Sequence, residues 1–150
     1  MINISYQQQI NASPETVWKV LTHLEDYKLW VKPFSENSKF LGEWIEGSEM
    51  VFIDENHGGT VALLEDCKAR HTIHMKHIAT INKEGIRETT GEMTEKWVGT
   101  LENYTLSQAE QGVLLKIDLY IDSSFKKMCD DAWPQCLLNI KELSEVQKTT

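Results

Sequence analysis

Two hydrophobic periods divide the chain. Ile2, Ile4, Tyr6, Gln8 and Ile10 alternate with Asn3, Ser5, Gln7 and Gln9, a period of two that predicts a first strand with a partly polar end. Near the other end Val113, Leu115, Ile117, Leu119 and Ile121 point to one face and Lys116, Asp118 and Tyr120 to the other, which predicts a strand with one dry face. The period then changes. Phe125, Met128, Cys129, Ala132, Trp133, Cys136, Leu137 and Ile140 recur at the spacing of one helix face, so a long amphipathic helix is expected to lie on that dry face. Pro134 falls inside this helix, where a proline removes one hydrogen bond and crowds the preceding turn, so a kink is expected near Trp133.

After the first strand, Asn11-Ala12-Ser13-Pro14-Glu15 carries a helix start. Ser13 is placed to accept from an orphan amide, Pro14 to occupy the first turn, and Glu15 to sit at the positive end of the helix. A helix over about 14–24 follows, with Val17, Trp18, Leu21 and Leu24 facing inward, then a short helical turn over 26–31 that Pro33 ends. Between 38 and 121 short runs of β-branched and aromatic residues are separated by Glu46-Gly47-Ser48, His57-Gly58-Gly59 and Asn82-Lys83-Glu84-Gly85. These reversals predict antiparallel strands at about 38–45, 49–54, 60–67, 71–81, 97–107 and 112–121. The polar stretch 85–96 reads as an exposed loop. With the first strand this makes an α+β architecture: a curved antiparallel sheet of about seven strands wrapped around the long C-terminal helix, with two short helices after strand one.

Composition narrows the function classes. The 150 residues, 41% hydrophobic and 25% charged, fit one globular domain over 1–150 that buries roughly 70% of its unfolded surface. The opening MINISYQQQI has neither a basic start nor an apolar run, and no stretch approaches the roughly 20 apolar residues of a membrane span, so a cytoplasmic protein is expected. A net charge of −8 without a basic stripe opposes nucleic acid and anionic membrane as partners. Three cysteines leave a disulfide framework incomplete, and Cys129 and Cys136 lie about 10 Å apart along one helix, too far to bridge.

Four motifs in order resemble a known superfamily: Asn11-Ala12-Ser13-Pro14-Glu15-Thr16-Val17-Trp18, Gly42-Glu43-Trp44-Ile45-Glu46-Gly47-Ser48, Glu102-Asn103-Tyr104-Thr105-Leu106 and Trp133-Pro134-Gln135-Cys136-Leu137. Together they are similar to the START-like, or SRPBCC, helix-grip superfamily, and within it to the branch named after the C-terminal domain of the activator of the heat-shock-90 ATPase. The resemblance covers nearly the whole chain. It implies the helix-grip fold and leaves function open, since that superfamily hosts binders, carriers and cyclases.

Candidate chemistry is sparse. Cys67, His71, His74 and His77 have metal-ligand composition, but on a strand they spread over some 30 Å and two faces, so no metal site and no cofactor is expected. No serine sits in a glycine-flanked elbow, and Gly58-Gly59 precedes no helix that would make a phosphate cradle. His77 shares a face with Ile73, Met75, Ala79 and Ile81, the face turned toward the long helix, and a polar group there needs a partner. Glu102 or Tyr104 on the next strand can supply it. His77 is then either a satisfied core histidine or a polar anchor in a cavity.

Three functions remain. The first is binding of a small hydrophobic or amphipathic ligand in a cavity of a few hundred Å³ between sheet and helix. Its expected lining is Trp30, Trp44, Phe52, Met75, His77, Tyr104, Met128 and Trp133, with His77 and Tyr104 orienting the ligand. The second is a polyketide cyclase or aromatase-like enzyme in which His77 and Glu102 form the acid/base pair. The third, implied by the resemblance alone, is a co-chaperone-like interaction domain. Oligomeric state is left as monomer or homodimer.

Overall fold

The computed structural model describes residues 1–55 and 58–147, so the expected reversal at His57-Gly58-Gly59 lies partly outside the described residues. Strand β1 (Ile2–Ile10) leads into α1 (Pro14–Thr22) and α2 (Leu24–Trp30). Ser13 caps α1 as its sequence predicts, its side chain accepting from the Thr16 amide at 3.2 Å. Then come β2 (Ser38–Leu41), β3 (Glu49–Asp54), β4 (Gly58–Lys68), β5 (Thr72–Ile81) and a two-residue β6 (Arg87–Glu88). Helix α3 (Glu92–Trp97), β7 (Leu101–Gln108) and β8 (Val113–Ile121) follow, and a 3-10 turn (Ser123–Phe125) opens α4 (Lys126–Gln147).

The sheet is antiparallel, in the order β1-β8-β7-β5-β4-β3-β2, with β6 pairing with β5 off this path. It is α+β with an open sheet and a long C-terminal helix, as the two hydrophobic periods imply. Alternation on β8 buries Val113, Leu115, Ile117, Leu119 and Ile121, the dry face predicted from the sequence. On α4 the buried stripe is Cys129, Ala132, Trp133, Cys136, Leu137, Ile140 and Ser144. The helix runs unbroken through Pro134, which removes only the amide that would have donated to the Asp130 carbonyl.

Several expectations are corrected. Trp97 is not on a strand, and 85–96 is not wholly loop: β6 and α3 form there, and β7 begins four residues later, at Leu101. Glu92, Met93, Glu95 and Lys96 are good helix formers, and Gly91 and Gly99, both at positive φ, bracket the turn. Strand β2 stops at Leu41 rather than 45, because Gly42 takes φ 118, outside the strand region. Trp44 therefore sits on an irregular connection. On α1 the fully buried face is Val17, Val20 and Leu21, while Trp18 is only half-buried.

Helix α4 lies closest to β1, α1 and α2, at one side of the sheet. Tyr6 on β1 ties the two together, its hydroxyl donating to Asp130 at 2.5 Å. Over the central strands the gap between helix and sheet is bridged by rings. Trp133, 4% exposed, stands 5.8 Å from the Tyr104 ring, 6.2 Å from Trp30 and 5.5 Å from Phe34. Large rings hold helix and sheet apart and leave a space between them.

Candidate functional site

That space is a cavity of about 190 Å³. It is smaller than the few hundred Å³ expected from the sequence, because the rings that hold the helix away from the sheet also fill much of the gap. The structure brings all eight expected lining residues to it: Trp30 from the end of α2, Trp44 from the β2–β3 connection, Phe52 from β3, Met75 and His77 from β5, Tyr104 from β7, and Met128 and Trp133 from α4. Met128, 40% exposed, marks the outer rim.

The tryptophans are positioned by their indole N–H groups as well as by packing. Trp30 donates to the Val20 carbonyl at 3.0 Å and Trp44 to the Thr22 carbonyl at 3.1 Å, so both rings are pinned to α1. Tyr27, Phe40, Phe52 and Trp44 pack edge to face or tilted in a continuous cluster behind them.

Set into one wall is a polar network. His77 Nε2 donates to Glu102 Oε1 at 3.0 Å, and the Tyr104 hydroxyl donates to Glu102 Oε2 at 2.5 Å. His77 Nδ1 pairs with the Thr60 hydroxyl at 3.2 Å, so both ring nitrogens are engaged. The His77 side chain is 5% exposed and that of Glu102 22%. Burial alone would raise the Glu102 carboxyl, but the hydrogen bond and charge of His77, helped by Tyr104, outweigh it and hold the group below its ordinary value. Glu102 is therefore a carboxylate at neutral pH. Tyr104 is pushed well above the usual phenol value by burial first and then by the Glu102 charge, so it stays a donor.

The sequence points to His77 with Glu102 or Tyr104, but not to Thr60, Trp97 or Thr100 beside them. Thr60 reaches His77 because the β4–β5 pairing is irregular: Val61 pairs with Ala79, but Ala62 with His77, a bulge beside the imidazole. Nothing in the local sequence marks that bulge. Trp97 lines the cavity from α3 and stacks on Phe125 at 4.5 Å, a place that the strand expected over 97–107 does not give it. Thr100, just before β7, also lines the cavity. Its place two residues before Glu102 is the period-two signal that could have found it.

The remaining metal-type residues do not gather. His74 faces Asp66 at 3.8 Å, Cys67 contacts the Trp44 carbonyl at 3.4 Å, and His71 lies in the β4–β5 turn. Among the described residues no group of three or more His, Cys, Asp or Glu is placed to hold a metal, and no helix is long and apolar enough to cross a membrane. The three cysteines are free thiols.

No family model and no curated protein matches the chain. Solved structures do. A protein from Mesorhizobium loti, MLL2253, superposes with a TM-score of 0.75 at 13% identity over 96% of this chain and 97% of its own. The Aha1 dimer from Colwellia psychrerythraea gives 0.73 at 24% identity, covering 99% of both chains. The chain has the START-like helix-grip fold. DynU16, a putative protein in the dynemicin biosynthetic locus, shares that fold, with a TM-score of 0.70 at 10% identity over 97% of this chain and 48% of its own.

Proposed function

We propose that the chain acts as one helix-grip domain that binds a small, largely apolar molecule in the cavity between sheet and α4. The observation that carries this reading is the composition of the cavity wall. Rings from α2, α3, the sheet and α4 surround one hydrogen-bonded polar patch, Glu102 with His77 and Tyr104. Ligand sites combine apolar walls with a few convergent polar groups in this way. The volume limits the ligand. An apolar protein cavity of about 150 Å³ accepts benzene, so a space of about 190 Å³ suits a single ring or a short chain rather than a sterol.

Native mass spectrometry of freshly purified protein, followed by organic extraction, tests the reading. A stoichiometric small-molecule adduct that Trp133→Ala abolishes supports it. A clean apo mass, together with no thermal stabilisation by small aromatic or short-chain compounds, counts against it.

A second reading is an enzyme of the cyclase type, favoured by one observation, the 3.0 Å contact between His77 and Glu102 in the cavity wall. The pair has the geometry to move a proton, with Glu102 as base and His77 holding its orientation. Turnover of a candidate polyketide that is lost in Glu102→Gln, while ligand binding persists, would select this reading. Likeness to the Aha1 dimer supports a further proposal, that the chain pairs as a homodimer in solution rather than remaining a monomer. Sedimentation velocity over a range of concentrations separates the two.

A further inference from the structure

The two ends of the sheet differ. At one end β2 is four residues long, carries Lys39 and stops where Gly42 takes φ 118. Shortness and a lysine are ordinary guards of an exposed sheet edge. At the other end β1 runs for nine residues, Ile2–Ile10, and among the described residues it pairs with β8 alone, in one register without a bulge. This strand contains no proline, no glycine and no charged residue. With a neighbour on one side only, every second residue of β1 turns its backbone N–H and C=O away from the sheet.

Cover is thin along the same edge. On β8 Leu115, Ile117, Leu119 and Ile121 are at most 5% exposed, whereas the residues opposite them on β1, Gln8, Tyr6, Ile4 and Ile2, are only half-buried. On the outer face Asn3, Ser5, Gln7 and Gln9 are exposed. One more strand beside β1 would pair the open backbone groups and cover the half-buried side chains.

Charge and symmetry select the occupant. Copies of this chain repel one another at a net charge of −8 each, so a contact between them is best made where no charge stands, and β1 has none. A strand is its own antiparallel complement about a two-fold axis. The side-chain amides and hydroxyl of Asn3, Ser5, Gln7 and Gln9 each donate and accept, so this polar face also matches itself. We infer that β1 pairs edge to edge with β1 of a second copy, antiparallel, joining the two sheets into one. Residues opposite each other in a sheet share a face, so odd positions meet odd positions. The longest such register puts Tyr6 on the axis and Ser5 opposite the partner's Gln7. This rests on the homodimer reading above and names its surface.

The test is amide hydrogen exchange on the purified protein, followed by NMR at concentrations below and above the midpoint that sedimentation velocity gives. Alternate amides of Ile2–Ile10, those turned away from β8, are expected to slow in step with the dimer fraction, while the amides of β2 keep their rates. Gln7→Glu serves as the variant. Its carboxylate would face Lys116 across the β1–β8 pair, which suits the fold, yet it sets two like charges near the axis. At low salt it should weaken the dimer about three- to tenfold. Salt of about 1 M, where the Debye length is about 3 Å, should restore it. If the dimer forms with β1 exchange unchanged, or Gln7→Glu pairs as well as wild type at low salt, the edge assignment falls and the homodimer stands. Slow exchange of the outward amides in a monomeric sample would show that the edge is covered from within the chain and would overturn the inference. If the chain stays monomeric up to about 1 mM, the edge pairing and the homodimer reading fall together.

Discussion

Replacing His77 by alanine removes the group that keeps Glu102 charged inside the cavity wall. Glu102 would retain Tyr104 at 2.5 Å but lose its 3.0 Å partner. Taking the hydrogen-bond donor from a buried carboxylate leaves a charged acceptor unsatisfied, at a cost of about 3–5 kcal/mol. Glu102 keeps 22% of its side chain open, which puts the expected loss at the low end, about 3 kcal/mol. With a urea m-value of about 2 kcal/mol/M, the midpoint should drop by about 1.5 M at pH 7. Glu102→Gln should cost much less, about 1 kcal/mol. The amide can accept from Tyr104 and donate to His77 Nε2, provided the imidazole proton moves to Nδ1 and is given to Thr60. Since a glutamine leaves no buried charge behind, the double variant should recover about 2 kcal/mol of the His77→Ala loss.

The pH dependence checks the cause. The folded carboxyl of Glu102 lies below its ordinary value of about 4.5. Its contribution is therefore fully present above that value and is lost as pH falls through the lower folded one. In His77→Ala only burial dominates, the shift reverses sign, and protonation relieves the variant. The gap between wild type and His77→Ala should then narrow steadily below about pH 5. A loss under 1 kcal/mol at pH 7, or a gap that does not change with pH, would falsify the picture of a charged Glu102 held by His77.

Trp133→Ala deletes the ring that spaces α4 from the sheet through Tyr104, Trp30 and Phe34, and should cost about 3–5 kcal/mol in denaturant titration; a loss below 1 kcal/mol would show that the ring is not part of the core. The Cys129 thiol is pushed up to about 11 and the Cys136 thiol to about 12, burial being the main cause and the Glu102 charge adding to it. At pH 8 a thiol reagent should therefore label half-buried Cys67 well before either, and equal labelling of all three would contradict this. Gly112 has φ 78, and a Cβ there would lie 2.1 Å from the Ile10 carbonyl oxygen, so Gly112→Ala should destabilise by more than the roughly 1–2 kcal/mol of the left-handed conformation alone. Gly99→Ala, at φ 94 with open space around it, should cost only that conformational term.

Much of the fold was legible because its elements bury one face each. The alternation of β8 and the stripe on α4 are global signals, and Ser13-Pro14 is a local one with a direct mechanism. What escaped was decided by contacts rather than by period. Six residues, Glu92–Trp97, are too few to show a helical repeat, so Trp97 read as the start of a strand and its stack on Phe125 stayed invisible. Strand β2 was overextended through Gly42, where one positive φ ends the pairing. At the candidate site the His77–Glu102–Tyr104 grouping follows from facing residues on neighbouring strands. Thr60 joins it only through the bulge at Val61/Ala62, a tertiary adjustment with no local mark. Cavity volume depends on how Trp133, Trp30 and Tyr104 interleave, and periodicity says only that they face inward.

The central claim, that a small molecule occupies the space between sheet and α4, is tested most directly by the five indole N–H signals in a two-dimensional NMR spectrum. Trp30, Trp44, Trp97 and Trp133 line the cavity, and Trp18 does not. On titration with 4-methylphenol the four lining indoles are predicted to shift along one saturating curve while Trp18 stays in place. Four unmoved signals at the solubility limit of the ligand, or a Trp18 shift as large as the others, would contradict the account.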